Sequence, residues 1–141
     1  MNKLSSRLKK GSWSLSKAPV LRSSILFPNG FPQKGEIYQI NFSPSRGKEI
    51  KEIHPGLVVS NNIQNEYGHY VIVAPITSTL KRERLFELII SPSFKNGLEK
   101  RSKILLNQIR SIDKRRLAKY LGQVEPEVMF EVRKKIDLVL D

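Results

Sequence analysis

The sequence predicts a mostly β domain of the α+β class: a small antiparallel barrel or curled sheet followed by a C-terminal helix. Three observations support this prediction. Five short β-prone segments follow one another between residues 36 and 112, separated by turn-rich stretches. An amphipathic helical pattern then closes the chain. With 141 residues, of which 39% are apolar, the chain has enough material for one packed core.

The predicted strands are short and rich in β-branched and aromatic residues. In the first of them, Ile37, Ile40 and Phe42 alternate imperfectly with polar residues. Pro75 cannot donate a ladder hydrogen bond, so we expect the end of the third strand to lie at a sheet edge or a bulge. The polar stretch that follows the second strand predicts turns. The five predicted strands cover residues 36–42, 56–60, 70–77, 85–90 and 103–112.

Two helices are predicted in the last third of the chain. Asp113 can accept a hydrogen bond from the first-turn N–H groups of a helix over residues 114–121. Pro126 suits the first position of a second helix, residues 126–140, because its missing N–H would be unsatisfied there anyway. A stripe with a spacing of four residues gives this helix a packing face, formed by Val128, Val132, Ile136 and Leu140.

The charge of the chain predicts a polyanionic partner. The formal net charge is +12 and the isoelectric point is about 10.1, which favours nucleic acid first and an anionic membrane second. Seven of the 25 Lys and Arg residues, and none of the 13 Asp and Glu residues, lie in residues 1–34. We therefore expect residues 1–33 to be a basic, flexible extension and residues 34–141 to be the folded domain.

Composition and motifs also exclude several classes of chemistry. The chain has no cysteine, so it has no disulfide framework and no thiolate nucleophile. His54 and His69 lack a neighbouring carboxylate pattern for metal binding, and no phosphate-cradling or dinucleotide-binding glycine motif occurs. No apolar run is long enough for a membrane span, and no secretory apolar segment follows the basic N-terminus. We therefore expect a cytoplasmic protein without metal or cofactor and without membrane attachment.

Cleavage of RNA by its own 2′-hydroxyl suits the residue types that remain. The substrate supplies the nucleophile, so the protein needs no activated Ser or Cys. It must accept the proton of the 2′-OH, stabilise the crowded phosphate and protonate the leaving 5′-oxygen. His, Arg, Lys, Thr and Gln side chains can share these tasks. DNA lacks the 2′-OH, so this route selects RNA.

Three blocks of the sequence resemble, in order and spacing, the MazF/PemK family of toxin endoribonucleases. The blocks are "GEIYQINFSPSRGKEIKEIHPGLVVSNN", "VIVAPIT" and "ILLNQIRSIDKRRL", and the resemblance covers about residues 34–140. It implies an SH3-like, CcdB-like barrel with a C-terminal helix, usually a homodimer. It also implies metal-independent cleavage of single-stranded RNA, including mRNA, to 2′,3′-cyclic phosphate and 5′-OH ends. The implied protein partner is an antitoxin whose acidic arm occupies the RNA groove.

The resemblance assigns catalytic roles to two residues. Thr77 matches the family's strand-end threonine, which contacts the scissile phosphate, and Ser78 follows it as a phosphate-binding candidate. His54 stands where the family usually has arginine. Histidine changes its charge between pH 5 and 8, so a neutral His54 can accept a proton and a protonated one can donate to the leaving oxygen. From the residues alone, His54 is a polar residue at the entrance of a strand.

Further residues are implied in RNA binding. The family's glycine-acidic loop, which is mobile and overhangs the active site, matches Gly47 and Glu49, with Lys48 between them. Arg46 and Lys48 are ordinarily only solvated loop charges, but their loop borders the predicted groove. The family's Gln and Arg in the last β-prone block match Gln108 and Arg110, of which Arg110 either binds phosphate or braces the barrel or the dimer. The RNA-binding candidates are Arg46, Lys48, Glu49, Ser78, Gln108 and Arg110. The basic stretch "LKRERL" is a further candidate contact for RNA or antitoxin.

Two alternatives to an active nuclease remain open at this point. Asn107 stands where the family often has Asp or Glu, and with His54 it marks a departure from the family pattern. The first alternative is a catalytically weakened module that binds nucleic acid or antitoxin without cutting. The second, weaker one is a topoisomerase-poisoning toxin, a class that shares the barrel; the "VAPIT" and "NQIRSID" blocks count against it.

Overall fold

The computed structural model describes residues 26–43, 46–49 and 52–141. The chain divides into two compact units, Met1–Phe31 and Pro32–Asp141. In the described part of the first unit, the Gly30 N–H donates to the Phe27 carbonyl at 2.9 Å and closes a turn. Most of the predicted basic extension lies outside the described residues, so its flexibility stays a prediction.

The second unit consists of seven strands and two α-helices within its described residues. All strand pairs are antiparallel, and the strands form one sheet in the order β4-β5-β3-β2-β1-β7, with β6 joined to β3. This confirms the predicted class, a mostly antiparallel β fold with a C-terminal helix. The elements are β1 (Glu36–Asn41), β2 (Ile53–Val58), α1 (Asn62–Tyr67), β3 (Tyr70–Thr77), β4 (Glu87–Ile90), β5 (Ser102–Leu105), β6 (Arg110–Asp113), β7 (Leu117–Gln123) and α2 (Pro126–Leu140).

Strand β1 lies inside the sheet and is buried on both faces. Its neighbours are β2 on one edge and β7 on the other. Ile37, Tyr38 and Ile40 have no exposed surface although they are successive or nearly successive residues. Side chains alternate between the two faces of a strand, so both faces of β1 must be covered. This explains why apolar and polar residues alternate imperfectly in the sequence.

Pro75 does not lie at a sheet edge, so that expectation was wrong. It faces Gly56 of β2 in a central ladder. On the other side of β3, β6 pairs with residues 70–73 and β5 pairs with Ile76 and Thr77. Pro75 therefore lies where β3 changes from one partner to the next, and its missing N–H falls in the gap between the two ladders.

The single strand predicted for residues 103–112 is in fact two strands. A 3₁₀ turn, Leu106–Gln108, separates β5 from β6. Both strands pair with β3, Ile104 facing Ile76 and Arg110 facing Val73. Between these two ladders the register shifts by three residues, which is the length of the turn. The turn buries Leu106, so the apolar pattern in the sequence continues through a region that is not a strand.

The helix predicted over residues 114–121 was also wrong. The Asp113 carboxylate does accept a hydrogen bond from the Arg115 N–H at 2.8 Å, but it caps only one 3₁₀ turn, Lys114–Arg116. The chain then enters β7, which pairs with β1. Without β7, the second edge of β1 would leave its backbone groups unpaired, and this tertiary demand outweighs local helix propensity.

The polar stretch after β2 forms α1 rather than only turns. The Asn61 side chain accepts from the Gln64 N–H at 2.9 Å and caps the helix. Asn65 is fully buried and donates to the Ser60 carbonyl at 2.9 Å. Asn61 therefore supplied a capping signal that the turn prediction overlooked.

Helix α2 covers one side of the sheet, as its stripe predicted. Val132 is buried in the core. Val128 and Ile136 are partly buried and pack against the core, whereas Leu140 is 68% exposed. The packing face therefore ends at Ile136.

Among the described residues, no helix is long and apolar enough to cross a bilayer. The core cluster contains Ile37, Leu57, Ala74, Ile76, Ile90, Ile104, Leu106, Val124 and Val132.

The loop between β4 and β5 is locked to β7 by two glycines. A Cβ at Gly97 would overlap the Leu121 carbonyl, and one at Gly122 would overlap the Lys95 carbonyl. The obstructing atoms belong to the backbone and cannot swing aside. The buried Asn96 side chain holds the loop itself, since its Oδ1 accepts from two backbone N–H groups at 3.0 Å each.

We predict that Gly122→Ala destabilises the protein by about 2 kcal/mol or more, because the new methyl group forces the loop away from β7. Urea unfolding of the two proteins measures the difference. The neighbouring exposed change Gln123→Ala is the control and should cost no more than about 0.5 kcal/mol. Equal stabilities of wild type and Gly122→Ala would show that the loop is not locked in this way.

Candidate functional site

A cavity of about 280 Å³ lies where β1, β2 and the end of β3 meet β7 and the loop before β5. Its apolar wall consists of Pro55, Ile76, Leu98 and Leu121. Its polar and charged lining consists of Gln39, His54, Ser78, Glu99, Lys100, Ser102 and Lys119. The lining residues thus carry an imidazole, hydroxyl groups, a carboxamide, a carboxylate and two ammonium groups, and we call this cavity the His54 cavity.

The pairing of β1 places two of these side chains. His54 faces Ile40 across the β1–β2 ladder and is half-buried. Gln39 has Pro55 as its neighbour on one side and Lys119 on the other. The Gln39 Oε1 is buried and has no hydrogen-bond partner among the described residues. The sheet therefore places an unsatisfied carboxamide oxygen next to the cavity.

The end of β3 brings the predicted hydroxyl groups to the same place. Thr77 is half-buried, and its Oγ1 accepts from the Thr79 N–H at 3.2 Å. This local bond fixes the turn that follows β3. Ser78 is exposed and lines the His54 cavity, whereas Thr77 adjoins the cavity through Ser78.

A buried ion pair lies next to Thr77 in the sheet. Thr77 pairs in register with Lys103, whose Nζ lies 2.9 Å from the Glu87 Oε1. The Lys103 ammonium also donates to the Arg82 carbonyl at 2.6 Å, and Glu87 accepts from the Arg84 N–H at 3.0 Å. Burial tends to raise the pKa of Glu87, but these hydrogen bonds outweigh it and lower the pKa below its usual value. The pair thereby holds the basic "LKRERL" loop.

Arg110 lies elsewhere, in a second concavity of about 460 Å³. Its Nη1 donates to the Phe42 carbonyl at 3.3 Å, and its guanidinium lies 5.8 Å from the centre of the Phe42 ring. Arg116 donates to the Asn41 carbonyl at 3.3 Å and also to the carbonyl of Ser43. Both arginines therefore hold the end of β1, which favours the bracing role for Arg110.

The second concavity carries charge of both signs. Arg115 donates to Asp113 through two side-chain hydrogen bonds of 3.0 and 2.8 Å, and these bonds lower the pKa of Asp113 to about 2. The concavity is lined by Tyr70, Arg110, Ser111, Ile112, Asp113, Arg115 and Arg116. Part of its positive charge is therefore already neutralised within the protein.

The loop candidates form a turn of their own outside the cavity lining. The Arg46 N–H donates to the Glu49 carboxylate at 2.7 Å, and the Glu49 N–H donates to the Arg46 carbonyl at 3.1 Å. Gly47 has a φ of +60°, which this tight turn requires. Arg46, Lys48 and Glu49 are exposed, and residues 44–45 and 50–51 on either side lie outside the described residues.

Of the predicted site residues, the structure thus brings His54 and Ser78 together in one cavity, with Thr77 adjacent. Gln108 is half-buried in the 3₁₀ turn before β6 and does not line the cavity. Sequence reasoning missed Gln39, Lys100 and Lys119. Only the register of β1 with β7 could have revealed Lys119. Among the described residues, no group of three His, Asp or Glu side chains could hold a metal ion.

The antiparallel sheet and the C-terminal helix define a small, mostly β protein with a charged cavity, lined by two lysines, a histidine and a glutamate. The family model for PemK-like, MazF-like toxins of type II toxin-antitoxin systems matches residues 33–140. A relative from Staphylococcus saprophyticus, endoribonuclease MazF, is 35% identical over 108 residues, which cover 77% of this chain and 90% of the relative. The chain therefore belongs to this family of toxins.

Solved structures agree with this assignment. MazF from Deinococcus radiodurans superposes with a TM-score of 0.68 at 31% identity, over 78% of this chain and 96% of that one. A mycobacterial endoribonuclease solved in complex with its cognate antitoxin superposes with a TM-score of 0.64 at 25% identity, over 77% of this chain and 94% of that one.

We predict strong coupling between Lys103 and Glu87 in protein stability. Lys103→Met and Glu87→Leu should each cost about 3–5 kcal/mol, because each leaves a buried charge without its partner. The double variant should lose much less than the sum of the two, since no buried charge remains. Urea unfolding of the four proteins gives the coupling energy.

The exposed pair of Lys134 and Glu131 on α2, with an N···O distance of 3.6 Å, is the matched control. Removing either partner there should change stability by no more than about 0.5 kcal/mol. Strictly additive losses for Lys103→Met and Glu87→Leu would contradict the role of the buried pair.

Proposed function

We propose that this protein is the toxin of a type II toxin-antitoxin system and cleaves single-stranded RNA, including mRNA, without a metal ion. The observation that carries the proposal is the His54 cavity, a solvent-open cleft whose lining residues carry an imidazole, hydroxyl groups, ammonium groups and one carboxylate. The relative from Staphylococcus saprophyticus is named an endoribonuclease, which supports the proposal. The net charge of +12 suits a polyanionic substrate.

The proposed reaction is an internal transfer at the scissile phosphate. The 2′-oxygen forms a new bond to phosphorus while the bond from phosphorus to the 5′-oxygen breaks. The proton of the 2′-OH passes to a base, and a proton is delivered to the leaving 5′-oxygen. The products are a 2′,3′-cyclic phosphate and a 5′-OH. No external nucleophile, oxidant or cofactor enters this balance.

The catalytic roles follow from the positions of the side chains. His54 carries the imidazole of the cavity lining, a group that can both accept and donate a proton, so we assign proton transfer to it. Thr77 and Ser78 end β3 and offer hydroxyl donors to the non-bridging phosphate oxygens. Hydrogen-bond donors fixed by a strand end stabilise the charge that develops on these oxygens.

The remaining candidates are assigned to RNA outside the reacting phosphate. Arg46, Lys48 and Glu49 form the exposed turn between β1 and β2, and we propose that this turn contacts the RNA strand. Gln108 is proposed to bind RNA from the turn between β5 and β6. Arg110 remains a candidate for phosphate contact, and its bonds to Phe42 favour a supporting role.

We further propose that the protein acts in the cytoplasm as a homodimer and that a cognate antitoxin blocks it. A mycobacterial structural relative is described as an endoribonuclease bound to its cognate antitoxin. An antitoxin with an acidic arm would match the positive charge of this chain and compete with RNA for the same groups.

The direct test is incubation of the purified, antitoxin-free protein with a mixed-sequence RNA in the presence of EDTA, from pH 5 to pH 9. We expect cleavage, with 2′,3′-cyclic phosphate and 5′-OH ends identified by end-specific enzymatic labelling. Intact RNA at every pH would overturn the proposed activity. Salt-sensitive RNA binding without products would instead support the binding-module alternative.

His54→Ala should lower kcat/KM by about 10²–10⁴-fold, the range expected for loss of a general acid–base group. His69→Ala is the matched control, because His69 is exposed and lies outside the cavity. His54→Arg tests the family residue at this position, and it should retain phosphate binding and change the pH profile. Unchanged rates and pH profiles in both His54 variants would show that this residue is only structural.

A further inference from the structure

The His54 cavity is lined by two lysine residues, Lys100 and Lys119. Lys100 lies in the loop before β5, directly after Glu99, which lines the same cavity. A carboxylate next to an exposed ammonium reduces the field that a bound anion experiences. Lys119 has no such neighbour in the chain and, within the described residues, forms no ion pair.

The backbone of Lys119 has a defined position, although its side chain is exposed. It lies on β7 and pairs with Gln39 of the buried strand β1. Two residues further along, the backbone of β7 contacts Gly97 so closely that no Cβ would fit. The position of the Lys119 backbone is therefore set from both sides, by the sheet and by the loop that forms the cavity wall.

Gln39 provides an independent indication that a ligand belongs at this position. Its buried Oε1 has no hydrogen-bond partner among the described residues, and buried polar atoms are ordinarily satisfied. Gln39 stands in one cross-strand row with Pro55 and Lys119, all three of which line the cavity. The polar side of the cavity thus has an unused hydrogen-bond acceptor, which suits a donor on bound RNA such as a ribose 2′-OH rather than the phosphate itself.

We propose that Lys119 supplies the positive charge that binds and stabilises the reacting phosphate in the His54 cavity. This inference rests on the proposed RNA cleavage and assigns charge stabilisation to Lys119 and proton transfer to His54. The phosphate gains negative charge as the 2′-oxygen attacks, and a cation placed beside it stabilises that charge. His54 is then free to transfer protons, because Lys119 rather than the imidazole provides the positive charge.

The test compares Lys119→Gln and Lys119→Arg with wild type in RNA cleavage. Lys119→Gln should lower kcat/KM by about 10²-fold, the loss expected for one stabilising donor. Lys119→Arg keeps the charge and should retain most of the activity. Lys95→Gln is the control, because Lys95 is exposed, lies outside the cavity and meets β7 only through its backbone carbonyl. Circular dichroism melts establish that all variants fold.

A second readout does not depend on cleavage. The salt dependence of binding is measured with a mixed-sequence, fully 2′-O-methylated RNA oligonucleotide, which lacks the nucleophile. Loss of one phosphate contact to a single strand should reduce the slope of log K against log salt concentration by about 0.7 in Lys119→Gln, and the control should keep the wild-type slope.

The two failures are distinguishable. If wild type does not cleave RNA, the proposed function fails, and the salt slopes alone decide the role of Lys119. If wild type cleaves RNA and Lys119→Gln does so at the same rate with the same salt slope, the role of Lys119 is refuted while the proposed function stands. Loss of activity in Lys119→Gln without rescue by Lys119→Arg would also contradict a charge-based role.

Discussion

The antiparallel pairing of β1 at both of its edges is the constraint on which the rest of the structure depends. β2 on one side and β7 on the other satisfy its backbone groups, and both of its faces are buried. This pairing sets the positions of Gln39, His54 and Lys119, which come from three different strands. Because a register slip of one residue would turn each side chain to the opposite face, the site is only as well defined as these ladders.

Local patterns in the sequence predicted the elements that depend on local interactions. Residues 70–77 form a strand with the predicted bounds, and α2 begins at Pro126 as its helix signal indicated. The helix predicted over residues 114–121 does not form, because β7 must pair with the otherwise open edge of β1. This long-range pairing outweighs the local helix propensity. No local pattern reports such a pairing, so propensity alone could not reveal β7.

The sequence predicted those site residues that lie in, or directly beside, a contiguous motif. His54 and Ser78 were found because they lie in recognisable blocks, and the structure places both in one cavity. Gln39 and Lys119 were missed because their relation to His54 exists only across strands. Arg110 belongs to a recognisable block too, yet its contacts with Phe42 place it in a different concavity. Neighbours in sequence therefore do not all contribute to the same site.

The proposed function requires RNA to bind in the His54 cavity rather than in the concavity around Arg110. Backbone amide chemical shifts, recorded while a 2′-O-methylated RNA oligonucleotide is titrated into the protein, test this directly. We expect the largest changes at His54, Ser78 and Lys119. Changes confined to residues around Arg110 and Arg115, with the cavity residues unaffected, would contradict the account.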